Sequence, residues 1–242
     1  LFLTLSLFTF FRLPERARYL AGCVGLFLLV VLGIVIWRGG QSMLISPSWQ
    51  PRYPGDIAPL VMPEGDPYLR ALMRTISASE ANDPNPYTLL YGGGRFTDLS
   101  RHPDRCMTIL SGPNRGNCTT AAGRYQFITT TWQEKAALYH PHRHTLHNRF
   151  QWLLGASYSF EPLYQDLVVY GWLEDRQAWG IDIDELLATE NLQLVLKQLS
   201  GTWTSLGYGI EDNLVTPYLK EIYQTLLMQE QDLIAQGVGA ER

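Results

Sequence analysis

The stretch Asp66-Pro67-Tyr68-Leu69-Arg70-Ala71-Leu72-Met73-Arg74-Thr75-Ile76-Ser77-Ala78-Ser79-Glu80 decides the fold. The Asp66 side chain can accept a hydrogen bond from a free helical N–H, and Pro67 suits the first helical position, so a helix is predicted to start here. Leu69, Leu72, Met73 and Ile76 recur at helical spacing and give an apolar face. Glu80 falls four residues after Ile76, which brings its carboxylate out along the edge of that face. The run Asn82-Asp83-Pro84-Asn85-Pro86 stops the helix, because proline cannot continue it and restricts the residue before it. A carboxylate in the last turn faces the negative end of the helix dipole, which favours its protonated form, and partial burial pushes the same way. The spacing alone leaves two readings of Glu80, a general acid or a solvated carboxylate at a frayed helix end.

Downstream, Tyr87-Thr88-Leu89-Leu90-Tyr91 and Arg95-Phe96-Thr97 flank Gly92-Gly93-Gly94, which predicts a β-hairpin around a glycine turn. From Thr120 onward the signals are helical, over 125–138, 150–159, 164–176, 183–189, 191–203 and 216–236. In the last of these Pro217 suits a first helical position, and Leu219, Ile222, Tyr223, Leu226 and Leu227 form the apolar stripe. Trp132 and Trp152 read as core. One small hairpin within a helical chain implies an α+β domain over 66–242, with two unequal lobes and a cleft between them.

Upstream, the run 19–37 carries no charge, is rich in Leu, Val and Ile, and at helical rise approaches the thickness of a bilayer core. Arg12, Arg16 and Arg18 precede it, and Arg38 is the one basic residue immediately after. The positive-inside bias therefore puts 1–18 in the cytoplasm and the domain across the membrane, facing the periplasm, with one N-terminal helix as the membrane anchor. A cleaved signal peptide is the alternative, but no Ala-x-Ala-like site follows the run. The apolar segment Leu1 to Phe11 is too short to span alone, and with no initiating Met the start of the N-terminal segment stays open. Residues 38–65 carry Pro47, Pro51, Pro54, Pro59 and Pro63 and read as an extended, stiff linker.

A chain of 242 residues, 46% hydrophobic, allows one substantial core with appendages. The net charge of −4 and the lack of a basic stripe argue against nucleic acid as a partner. Cys106 and Cys118 bracket a loop by composition, 111–117. They form a disulfide if the domain faces an oxidising compartment, and two free thiols otherwise. Cys23 lies in the apolar run. His140, His142, His144 and His147 invite a metal, but Pro141 interrupts the first spacing and no carboxylate or Cys accompanies them at a ligand spacing. They read as a solvated loop, and no metal or cofactor is called for.

Ser79-Glu80 closing a helix, Gly92-Gly93-Gly94-Arg95-Phe96-Thr97-Asp98, His102-Pro103, Ala122-Gly123-Arg124-Tyr125-Gln126 and Trp203-Thr204-Ser205-Leu206-Gly207-Tyr208-Gly209 occur in that order. Pro162-Leu163-Tyr164-Gln165-Asp166 lies between the last two. Together they resemble the phage lambda endolysin-like family of peptidoglycan lytic transglycosylases, over Leu69 to about Gly209. The resemblance implies a lysozyme-like fold that cleaves the β-1,4 bond between N-acetylmuramic acid and N-acetylglucosamine in peptidoglycan glycan strands and leaves a 1,6-anhydro end. It places Glu80 as the single catalytic acid and base, and Tyr125 and Gln126 where polar groups meet the sugar chain. Tyr208 falls on a loop lining the cleft, the other reading being a simple turn aromatic. Arg124 reads as structural, an arginine tying lobes together.

Asp98 is placed with the substrate-binding candidates. It is also the rival second carboxylate of a hydrolytic muramidase, or equally part of a turn over Thr97-Asp98-Leu99-Ser100 in which the Asp side chain bonds its own backbone. The chain departs from the lambda pattern in two places. Thr88 follows Tyr87 where that pattern has an acidic residue nearby, and the turn around Tyr208 is shorter. The third alternative is a non-catalytic module that tethers membrane to peptidoglycan.

Overall fold

A computed structural model describes residues 57–110, 112–144, 158–209 and 214–240. The run 19–37, the segments on either side of it up to residue 56, and Trp152 with most of the helix expected over 150–159 lie outside the described residues. Among the described residues no helix is long and apolar enough to cross a membrane.

Helix α1 (Pro67–Glu80) is built as its sequence requires. Asp66 Oδ1 accepts from Tyr68 N at 2.8 Å and Leu69 N at 3.1 Å, and Pro67 opens the first turn. Leu69, Leu72, Met73 and Ile76 are fully buried. The helix is not one-sided, however: Arg70, Arg74, Thr75 and Ser77 are buried as well. The long C-terminal helix α7 (Leu219–Ala240) explains this, since it makes its most extensive contact along α1. Its Glu230, fully buried, meets Arg70 Nε at 2.6 Å and Arg74 Nη1 at 2.8 Å. Two guanidinium groups are thus tolerated inside because one carboxylate bridges both.

The hairpin is a correction. Pro86–Thr88 forms a single 3₁₀ turn, and Gly92 and Gly93 take φ of 79° and 91°, which tightens the chain into a turn rather than a ladder. Its two sides meet at one isolated bridge, Leu89↔Arg95, with Leu90 N donating to Gly94 O at 2.8 Å and Phe96 N to Thr88 O at 3.1 Å, while Tyr91 N donates to Ala121 O at 3.0 Å. The sheet lies further on. Strands β1 (Met107–Thr108) and β2 (Cys118–Thr119) pair antiparallel with Met107 opposite Thr119, and the Cys106–Cys118 disulfide closes the loop between them.

The linker is a second correction. Ile57, Leu60 and Met62, expected within an extended spacer, are buried in the core cluster. The domain therefore includes residues 57–65, whose backbone polar groups are bonded by side chains far along the chain.

The remaining helices follow the expected order with shifted ends. Helix α2 (Thr129–Tyr139) starts later than residue 125 because Gly123 and Gln126 take φ of 76° and 47° and form a turn first. Helix α3 (Pro162–Glu174) opens on proline, and Asp175 caps the short α4 (Arg176–Trp179). Asp182 caps α5 (Ile183–Ala188), and α6 (Leu192–Leu199) follows. Trp132 is buried against Phe160, ring centroids 4.6 Å apart, and Trp172, Trp179 and Trp203 stack as a second aromatic layer. His140 is buried beside the Tyr164 ring rather than solvated. Among the described residues no group of His, Cys, Asp or Glu could hold a metal ion.

Candidate active site

The C-terminus of α1 ends on Ala81, whose N–H donates to Ser77 O at 2.8 Å, so Glu80 closes the last turn half-buried. The turn following Trp203 packs against this end. Gly207 takes φ of 92°, and a side chain at Gly209 would collide with the Thr204 backbone, so the chain folds back tightly on itself there. That fold-back presents Ser205, whose Oγ donates to Glu80 Oε1. Ser79 Oγ lies 2.7 Å from Ser205 Oγ, and Thr216 Oγ1 donates to Ser205 O at 2.9 Å. The catalytic candidate is therefore gripped by a hydroxyl from a segment more than a hundred residues away.

A cleft of about 620 Å³ opens over this point, with Tyr91, Gln126, Ile128, Thr131 and Thr204 among its walls. Glu80 is its one carboxylate among the described residues. The disulfide-closed loop contributes Ile109 and Gly112 as a lip.

Gln126 lines this cleft. Its Nε2 donates to Gly123 O at 2.9 Å, and its Oε1 has no partner among the described residues, which suits it to accept from a sugar amide or hydroxyl. Tyr125 is placed differently from expectation. It is among the residues that line the cleft, but it is fully buried and its Oη donates to Asp166 Oδ1 at 2.7 Å, so the phenol is committed within the protein rather than offered to a sugar. Burial and the neighbouring carboxylate push that phenol well above its usual range. Asp166, buried with it, is pushed up by desolvation against the pull of Arg124 and of the Tyr125 and Tyr87 hydroxyls.

Asp98 does not reach the cleft. Its carboxylate is exposed and accepts from Ser100 N at 3.0 Å and Ser100 Oγ at 2.6 Å, bonds that hold it below the usual carboxylate range. This is the turn geometry of an Asp bonding its own backbone. Tyr208 is half-exposed and lies outside the cleft lining among the described residues. Arg124 is fully buried and donates to Ala58 O and Pro59 O at 2.6 and 2.8 Å, a structural role as expected.

Sequence reasoning passed over Tyr91, Thr131 and Ser205. Ser205 had a signal, since it stands within the Trp203–Gly209 motif. Tyr91 and Thr131 had none, because only the tertiary fold brings them to one cavity.

A family model described as Endolysin matches residues 70–227. Among solved structures, bacteriophage lambda lysozyme complexed with a chitohexasaccharide superposes with a TM-score of 0.46 at 23% identity, covering 68% of this chain and 97% of that one. A second structure, lysozyme from bacteriophage lambda, gives 0.42 at 20% identity, covering 71% and 97%. A comparison with curated proteins finds no match. The family match extends over well more than half of the chain and contains both Glu80 and the Ser205 turn that grips it: the chain belongs to the Endolysin family and is an enzyme that degrades peptidoglycan.

Proposed function

We propose that the chain is a lytic transglycosylase in which Glu80 alone serves as acid and then base. The observation that carries this is the single carboxylate among the described residues of the cleft. In its neutral form Glu80 gives a proton to the glycosidic oxygen as the bond from that oxygen to the anomeric carbon of N-acetylmuramic acid breaks. As a carboxylate it then takes the proton of the substrate's own O6 hydroxyl, whose oxygen forms the new bond to the anomeric carbon. The nucleophile is supplied by the sugar, so neither a second carboxylate nor a water is consumed. The Ser205 hydroxyl donates to the carboxylate form and fixes its orientation between the two transfers. Gln126, another residue lining the cleft, offers its Oε1 to the sugar.

The competing chemistry is hydrolysis with Asp98 as partner. An inverting or retaining glycosidase needs its two carboxyl groups to flank one bond within about 5–10 Å. Asp98 is engaged in its own turn and does not line the cleft. Mass spectrometry of muropeptides released from cell wall by the full chain separates the two. Anhydro ends support transglycosylation, and reducing ends overturn it. Release of no muropeptide at all would point to a non-catalytic wall-binding module.

We further propose that the catalytic domain stands on the periplasmic side of the cytoplasmic membrane, held by the uncharged run 19–37. The arginines before that run support this orientation, and the Cys106–Cys118 disulfide supports an oxidising compartment. Protease added to spheroplasts should remove the domain, and protection from it would contradict the topology.

A further inference from the structure

Three buried arginines and one buried aspartate converge on residues 57–64, a segment that precedes the family-matched residues 70–227. Arg74 Nη2 donates to Ile57 O at 2.8 Å, and Arg70 Nη1 to Met62 O at 2.8 Å and Glu64 O at 3.1 Å. Arg124 binds the carbonyls of Ala58 and Pro59. Asp166 Oδ2 accepts from Val61 N at 2.7 Å and Met62 N at 3.2 Å. These are strong, charge-assisted bonds to backbone groups, so they grip the path of the segment rather than its side chains.

The same two side chains, Arg124 and Asp166, are joined to each other through Tyr87, and Asp166 also to Tyr125, a residue that lines the cleft. Tyr87 Oη donates to Asp166 Oδ2 at 2.8 Å and accepts from Arg124 Nη1 at 2.9 Å and from Val61 N at 3.1 Å. Asp166 Oδ1 holds the Tyr125 hydroxyl. Tyr125 is among the residues that line the cleft, and its carbonyl accepts from the indole N–H of Trp203, another wall residue, at 3.1 Å. A continuous chain of bonds therefore runs from the backbone at Val61 to the cavity that contains Glu80.

We propose that residues 57–64 form a strap that sets the shape of the cleft wall through Asp166, a positioning residue for peptidoglycan cleavage. With the strap docked, both carboxylate oxygens of Asp166 are committed and Tyr125 has one place to stand. With a strap donor removed, a buried carboxylate is short of hydrogen bonds and draws Tyr87 and Tyr125 into a new arrangement. The catalytic unit then begins at residue 57 and not at the start of α1. The role rests on cleavage of peptidoglycan, and is indifferent to whether the sugar's own hydroxyl or water is the nucleophile.

The test uses the full chain. Val61→Pro deletes the one N–H shared by Asp166 and Tyr87, and because the Val61 side chain is half-exposed little packing is lost. Val61→Ala keeps that N–H. Tyr125→Phe cuts the same chain of bonds at its far end while keeping the ring. On purified peptidoglycan, Val61→Pro is expected to lower kcat about tenfold with KM within about twofold and a melting temperature still above the assay temperature. Val61→Ala should match wild type. Tyr125→Phe should also lose about tenfold, and the double variant no more than either single, because both act on one carboxylate. A wild-type kcat in Val61→Pro, or losses that multiply in the double variant, would overturn the role. If Val61→Pro does not fold, a wild-type kcat in Tyr125→Phe overturns it equally. Absence of muropeptide release from the wild type itself would overturn both the strap's role and the enzymatic function, whereas a wild-type kcat in the variants overturns the strap alone.

Discussion

Helix α1 carries acidic and basic contacts at two places that have opposite characters. Midway along it, Arg70 and Arg74 are buried against Glu230, with guanidinium nitrogens 2.6 and 2.8 Å from the two carboxylate oxygens. At its C-terminus, Glu80 stands half-buried over a cleft, held by the hydroxyl of Ser205. A carboxylate with both oxygens committed to guanidinium groups suits a clamp between α1 and α7. A carboxylate held by a neutral hydroxyl beside an open cavity can lose and regain a proton, which suits chemistry. On the proposed mechanism one helix separates stability from catalysis along its length, and each of the following variants strains that separation.

The largest effect is expected from Glu80→Gln, which keeps the shape but removes the exchangeable proton. Activity should fall by roughly 10³-fold, with denaturant midpoint little changed, because acid–base groups contribute on that scale. Glu230→Gln should do the reverse. Leaving two buried guanidinium groups without their carboxylate costs about 3–5 kcal/mol, read in urea titration, while kcat measured on the folded fraction is preserved. A large loss of kcat in the second variant, or of stability in the first, would break the comparison. Ser205→Ala should sit between them, lowering kcat roughly tenfold by removing the Ser205 hydrogen bond that orients the Glu80 carboxyl group.

Two titrating groups away from both places sharpen the stability side. Asp184 is raised to about 6, chiefly by desolvation and then by the neighbouring charges of Asp66, Asp182 and Glu174. The folded state therefore holds a proton that the unfolded state has released, and stability rises as pH falls from about 7 towards 4. Asp184→Asn should stabilise the protein at pH 7 by about 1 kcal/mol after solvent screening, with the gain vanishing near pH 4. His102 acts in the opposite sense. It is buried, its Nε2 lies 2.7 Å from Phe127 O, and the Asp104 N–H points at Nδ1, so the neutral ring fits and burial holds its pKa below 6.5. As pH falls through 6.5 the unfolded state takes up a proton that the folded state refuses, and stability drops. In Asp184→Asn the compensating rise is gone, so the acid side of its melting profile should be steeper than that of wild type. The smallest effect belongs to Asp98→Asn, expected to change kcat by less than about twofold, since the side chain serves its own turn.

Much of this was legible in the sequence where the determinants are local. The Asp66–Pro67 start, the apolar spacing and the proline stop of α1 act within a few residues of one another, and they place Glu80. The order of the motifs placed the turn that grips it. The strap was not legible, because prolines at 59 and 63 read as a spacer until Arg70, Arg74, Arg124 and Asp166 are brought to its backbone from elsewhere. The glycine run misled for a related reason. Leu89 to Thr97 has the composition of a hairpin, but Tyr91 N bonds Ala121 O, and the ladder forms where the disulfide holds two strands together. Tyr125 was placed in the right wall with the wrong end forward, since only the fold shows that Asp166 claims its hydroxyl.

The proton carried by Glu80 is the centre of the account, and the source of the nucleophile tests it most directly. Peptidoglycan is digested by the full chain in water labelled with heavy oxygen, and the new sugar ends are weighed. An enzyme whose substrate supplies its own hydroxyl leaves those ends unlabelled, which is the expected result. Heavy oxygen at the anomeric carbon of the new ends would mean that water attacks, and the single-carboxylate mechanism would be contradicted.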